Sequence, residues 1–171
     1  MAYNVVMREI ILIVHNVRST HNVGSILRTA DGLSANKVYL TGYTPYPAKT
    51  DDPRLPHLAH KINDQIHKTA LGAETSVIWE YSSNVDTVIK KLHRGGFTVV
   101  ALEQVAGSIP LPEFSPPDKI AVIVGNEVEG LEQKVIIACD AALEIPMFGN
   151  KESFNVSVAA AMALYQCKFG A

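Results

Sequence analysis

Cysteine is scarce in this 171-residue chain: Cys139 and Cys167 are the only two, and their spacing offers neither a disulfide framework nor a metal-ligand pattern. Both read as small apolar residues buried in a reducing compartment. Long apolar runs are also lacking. No segment approaches the ~20 residues that a membrane-spanning helix needs. The apolar stretch at residues 1–17 is split by Arg8 and Glu9 and lacks the parts of a signal peptide. The expectation is a cytoplasmic protein with no membrane partner and no metal. Two nucleotide-binding signatures are missing as well, the Gly-Lys-Ser/Thr of a Walker loop and the Gly-x-Gly-x-x-Gly of a dinucleotide turn. Nor is there a net positive charge; the balance of −2 argues mildly against a nucleic-acid partner.

The composition that remains, 47% hydrophobic and 19% charged, is that of a globular protein with a sizeable core. Charge is unevenly spread. Residues 1–68 carry eight Lys/Arg against five Asp/Glu, together with five of the six histidines, whereas residues 69–171 carry seven against twelve. An RNA-facing side built from the first third would explain the asymmetry, as would ordinary fluctuation on a solvated surface.

Short β-branched runs alternate with amphipathic segments. Strands are expected at Ile10–Val14, Lys37–Thr41, Ser76–Tyr81, Phe97–Leu102, Ile120–Val124 and Ala141–Ile145. Their near-continuous apolar character is that of a parallel sheet covered on both faces. Helices are expected at Asn22–Ser34, Asn84–Arg94, Leu131–Ala138 and Ser153–Lys168, giving an α/β domain. Between Gly42 and Ala59 lie four prolines and little periodicity, which reads as a long loop, functional or mobile.

Three segments carry chemistry. In the first, His15–Arg28, a strand end runs into a helix start, where open α/β sheets bind ligands. Asn22 reads as the helix cap, and Gly24 as a point of close approach to the first turn, whose free N–H groups favour phosphate. Arg28 lies six residues on, within reach of the helix mouth if its side chain leans toward the N-terminus. Asn16, Arg18, Asn22 and Arg28 together point to a polyanion site. In the second, Val122–Leu131, a buried strand ends at Gly125, followed by Glu127 and then Gly130, placing a carboxylate at the sheet edge. In the third, Ile145–Ala160, Pro146 ends a strand and Ser153 reads as the cap of the last helix, with Asn155 in its first turn.

In order and spacing these segments resemble the three motifs of the SpoU/TrmH family of RNA ribose 2′-O-methyltransferases. Asn16, Arg18, Asn22, Gly24 and Arg28 match the first; Gly125, Glu127 and Gly130 the second; Ile145, Pro146, Met147, Ser153, Asn155 and Ser157 the third. The resemblance spans Ile10–Gln166. It implies a SPOUT fold, a parallel sheet with helices on both faces and a C-terminal deep trefoil knot, which physical reasoning alone would not propose. It implies S-adenosylmethionine as cofactor, held near Leu102, Gly125, Ile145, Met147 and Ser153, with Glu127 and Asn155 beside it. It also implies a homodimer acting on tRNA or rRNA.

For the reaction, the resemblance makes Arg28 central, with Asn22, Glu127, Ser153 and Asn155 orienting it and the ribose. Guanidinium stays protonated, with a pKa above ~12. Arg28 is therefore expected to bind phosphate and stabilise a developing alkoxide, a general-base role being the alternative. Two other readings stand beside this one: a non-catalytic RNA- or cofactor-binding relative, and a SPOUT enzyme that methylates a base. Residues 1–171 are expected to form a single methyltransferase domain without a separate RNA-binding domain. Target choice then falls to the domain surface, the Gly42–Ala59 loop or a partner protein.

Overall fold

The computed structural model describes residues 7–170, so the apolar start at residues 1–6 lies outside the described residues. The elements run β1 (Glu9–His15), α1 (Thr20–Gly32), β2 (Lys37–Thr41), α2 (Pro56–Ala70), α3 (Ala73–Ser76), β3 (Trp79–Ser82), α4 (Val85–Arg94) and β4 (Thr98–Leu102). They continue with β5 (Ile109–Pro110), a 3₁₀ turn at Leu111–Glu113, β6 (Lys119–Val124), α5 (Gln133–Ile137), β7 (Ala141–Glu144) and α6 (Val156–Phe169). One seven-stranded sheet of order β3-β2-β1-β6-β4-β7-β5 takes in all these strands, and every pairing is parallel.

Alternation along the central strands divides the core in two. Ile10, Leu12 and Val14 of β1 join Ile120, Val122 and Val124 of β6 under α1, α2 and α6. Ile11 and Ile13 join Ala121 and Ile123 under α4 and α5. Both faces are covered, which explains why these strands read as unbroken apolar runs.

All six expected strands are present, with one displaced start. Residues 76–78 are not strand: Ser76 closes α3, its hydroxyl donating to Asp31 at 2.7 Å, and β3 begins at Trp79. The four expected helices are present too, although α5 is shorter than Leu131–Ala138. The sequence reading missed α2, which takes over the last four residues of the expected Gly42–Ala59 loop. Pro56 starts it at a position where a missing N–H costs nothing.

What precedes α2 is ordered by its own contacts. Arg54 stacks on the Tyr46 ring at 3.7 Å, pairs with both oxygens of Asp52 at 2.6 and 2.8 Å, and donates to the carbonyls of Tyr46 and Pro47. Gly24 has a different purpose from the one its sequence context indicated. A Cβ there would overlap Thr69 Oγ1 and the Ile66 carbonyl, so Gly24 lets α1 and α2 pack backbone to backbone.

Candidate active site

The C-terminal ends of β1, β4, β6 and β7 converge on one edge of the sheet, and the turns leaving them form the site. At the end of β1 the buried His15 ring meets Thr41 Oγ1 through Nδ1 at 2.9 Å, and Nε2 lies 3.1 Å from Asn16 Nδ2. The Asn16 amide donates that bond, so Nε2 is the acceptor and Nδ1 carries the proton. Burial lowers the His15 pKa, outweighing the opposing pull of Glu132. Asn16 turns the chain at a φ of +56°, and its Oδ1 accepts from the Tyr43 N–H at 3.2 Å.

Both helix caps differ from the expected ones, and the difference builds the site. Ser19, not Asn22, caps α1: its hydroxyl accepts from the Asn22 N–H at 3.2 Å. Asn155, not Ser153, caps α6, accepting from the Ser157 N–H at 2.9 Å. Relieved of capping, the Asn22 side chain donates to Glu127 Oε1 at 2.8 Å and accepts from Asn155 Nδ2 at 3.2 Å. Glu127 also accepts the N–H groups of Arg18 and Ser19, at 3.2 and 3.4 Å. Burial pushes the Glu127 pKa up, but these hydrogen bonds, that from Asn22 foremost, outweigh it and leave the carboxyl below its ordinary value. One residue from each of the three motif segments thus enters a single hydrogen-bonded chain.

Beside it opens a cleft of about 320 Å³. Of the residues singled out for the cofactor, Leu102, Gly125, Glu127, Ile145 and Ser153 line this cleft, and Met147 and Asn155 do not. Met147 lies between Pro146 and Phe148, which line a different recess, and the Asn155 side chain is spent on the cap and on Asn22. Ser153 is exposed on the loop before α6. The lining has a pronounced character: apolar Leu102, Val124, Leu143 and Ile145 alternate with five carboxylates, Glu103, Glu127, Glu129, Glu144 and Glu152. No lysine, arginine or histidine lines it among the described residues. Such a cleft repels phosphate and suits a ligand with a flat apolar part and positive charge.

The cations stand outside the cleft. Arg18 is exposed and reaches Glu129 at 3.8 Å; its pKa is raised, first by the adjacent Tyr43 hydroxyl. Arg28 is exposed on α1 and makes no hydrogen bond or ion pair with another described residue. Arg18 thus stands where the turn before α1 meets the acidic lining at Glu127 and Glu129.

Sequence reasoning missed three contributors. Buried Asn126 donates to the Asn16 carbonyl at 3.1 Å and to the Tyr43 hydroxyl at 2.6 Å, while its Oδ1 accepts the N–H groups of Val128 and Glu129. Glu103 accepts from the Leu131 N–H at 2.8 Å, and a Cβ on Gly130, whose φ is +67°, would overlap that carboxylate. Tyr43 is the third. Only the Asn next to Gly125 gave any signal, since Asn after a glycine commonly shapes a turn.

Known proteins resemble this chain in sequence and in fold. A 23S rRNA (guanosine-2′-O-)-methyltransferase, RlmB, of Neisseria meningitidis is 30% identical over 93% of this chain, which spans 58% of that relative. The crystal structure of an Aquifex aeolicus TrmH/SpoU tRNA modifying enzyme superposes with a TM-score of 0.77 at 25% identity, covering 94% of this chain and 75% of that one. An AdoMet-bound rRNA methyltransferase from Sinorhizobium meliloti shares the fold at a TM-score of 0.75 and 24% identity, covering 93% of this chain and 55% of that one. The sequence profile of the SpoU rRNA methylase family matches residues 9–165, and the chain belongs to that family.

Proposed function

We propose that this protein transfers a methyl group from S-adenosylmethionine to a ribose 2′-hydroxyl of tRNA or rRNA. The observation that carries the reading is the chain Asn155–Asn22–Glu127, which joins all three motif segments at the rim of the acidic cleft. The cleft suits the cofactor on its own chemistry. Leu102, Leu143 and Ile145 offer apolar walls to an adenine ring, and the five carboxylates favour a cation over a phosphate. Gly125, Ser153 and the adjoining Met147 segment supply backbone. Bound S-adenosylmethionine brings an electrophilic methyl group on a positively charged sulfur.

The RNA side falls to Asn16, Arg18, Asn22 and Arg28. With no described partner, the Arg28 guanidinium keeps all five donors for substrate. It holds a phosphate and stabilises negative charge on the attacking oxygen, whose proton passes to solvent water, since a guanidinium does not accept it. Asn22 and Asn155 position the ribose, and Glu127 fixes Asn22. Rate enhancement comes chiefly from setting the hydroxyl in line with the methyl. Such a substrate implies a cytoplasmic site of action.

Two structural elements of the reading rest on particular residues. Helix α6 is apolar on both sides, and Met162 and Tyr165 face outward, bounding with Phe148 and Leu111 an apolar recess of about 550 Å³. Phe148 is 98% exposed, a cost that a second copy of this chain seated on α6 would remove. The C-terminal knot is supported by topology. Strand β7 is inserted between β4 and β5, which are consecutive strands in the sequence. By way of β7 the chain goes from α5 on one face to α6 on the other, the crossing that a C-terminal segment threaded through the connection between β4 and β6 would require.

The test is transfer of labelled methyl from S-adenosylmethionine to RNA, followed by digestion to nucleosides and mass spectrometry. Label on 2′-O-methylated nucleosides is expected. Label on bases, or cofactor binding without any transfer, would overturn the reading.

A further inference from the structure

The Pro-rich segment after β2 holds two aromatic rings of opposite fate. Tyr46 is 7% exposed, stacked against Tyr81 at 4.2 Å on one side and Arg54 at 3.7 Å on the other. Tyr43 is 53% exposed, and among the described residues neither an aromatic ring nor a cation stacks on its face. Yet it is fixed at both ends. Its backbone N–H donates to Asn16 Oδ1 at 3.2 Å, and its phenol oxygen accepts from Asn126 Nδ2 at 2.6 Å. The preceding Gly42, at a φ of +68°, lets the backbone close onto the Asn16 side chain, since a Cβ there would overlap Asn16 Oδ1. The exposed guanidinium of Arg18 stands beside the hydroxyl.

From this geometry we infer that Tyr43 is a stacking platform for an unpaired base of the RNA, held at the rim of the site by Asn16 and Asn126. The inference rests on the RNA reading above and deepens it. A ring fixed at both ends loses little freedom when a base lands on it. The phenol oxygen already accepts a hydrogen bond, so its proton is free to donate to the nucleotide. Arg18 adds a charge beside the ring for the neighbouring phosphate. Bases inside an A-form duplex present no open face, so the platform selects a nucleotide in a loop, bulge or end.

Equilibrium binding of a short fluorescent oligoribonucleotide of mixed sequence, single-stranded or annealed to its complement, tests this directly. Base-on-aromatic stacking energies translate into a loss of about 5- to 150-fold in single-strand affinity for Tyr43→Ala. Duplex affinity should be unchanged. Tyr43→Phe keeps the ring and should retain most single-strand affinity. Unchanged S-adenosylmethionine affinity in Tyr43→Ala would show that the site is still folded. Wild-type affinity for the single strand in Tyr43→Ala would overturn the inference, as would equal losses in the Ala and Phe variants or equal losses for single strand and duplex. A wild-type protein that binds neither RNA would overturn the RNA reading itself, before any variant is compared.

Discussion

The side-chain amide of Asn22 donates a 2.8 Å hydrogen bond to Glu127, 105 positions further along the chain. That bond ties the start of α1 to the turn after β6, and the same carboxylate accepts two backbone N–H groups from the turn before α1. Replacing Glu127 therefore leaves three donors without their acceptor.

Glu127→Ala should cost about 1–3 kcal/mol of stability, since donors facing a partly buried anion lose their partner. The wild-type contribution is also pH-dependent. The folded carboxyl lies below its ordinary value of 4.5, so its stabilisation is complete above that pH and is lost as pH falls through the depressed folded value. Urea unfolding at a series of pH values should show the acid-side decline in the wild type and a shallower one in Glu127→Gln. Parallel curves would contradict the assignment.

His15 predicts a second, higher window. Its pKa is depressed from 6.5 by burial, so the unfolded chain binds a proton that the folded chain resists. Stability is then complete above pH 6.5 and declines as pH falls from there toward the folded value. His15→Gln should remove that slope below pH 6.5. An unaltered slope would assign it to other groups.

Gly24→Ala should destabilise despite a helix-propensity gain of about 1 kcal/mol. The added methyl would overlap Thr69 Oγ1 and the Ile66 carbonyl, and forced separation of two packed helices costs about 1–3 kcal/mol or more. A rise in thermal midpoint would show that α1 and α2 are not packed this closely.

Both thiols should be inert in the native protein. Burial pushes Cys139 and Cys167 up to about 12, leaving negligible thiolate at neutral pH. A thiol reagent at pH 8 should react slowly with the half-buried Cys139 and only at the rate of unfolding with the buried Cys167. Immediate labelling of either cysteine would place it at the surface.

The sheet was legible in the sequence because β1, β4 and β6 are covered on both faces and carry little besides aliphatic residues. Helix α2 was not. Its buried stripe is Ala59, Ile66 and Ala70, one large aliphatic residue and two alanines spread among histidines and lysines after a run of prolines. The motif residues were found, but not their duties. Ser19 lies three positions before Asn22 and is an equally good cap, and Asn155 lies two after Ser153, so local propensity did not decide between them. Tyr43, Glu103 and Asn126 act only because parallel strand ends bring distant turns together, and nothing in their local sequence marks that convergence.

Arg28 is where the account is most exposed to test. Methyl transfer from labelled S-adenosylmethionine to RNA should be measured with the wild type, Arg28→Ala and Arg28→Lys, alongside calorimetric cofactor binding. The account predicts loss of turnover of about 10²-fold or more in Arg28→Ala, a comparable loss in Arg28→Lys, and unchanged cofactor affinity in both. Near-wild-type turnover in Arg28→Ala, or a loss that follows weakened cofactor binding, would contradict it.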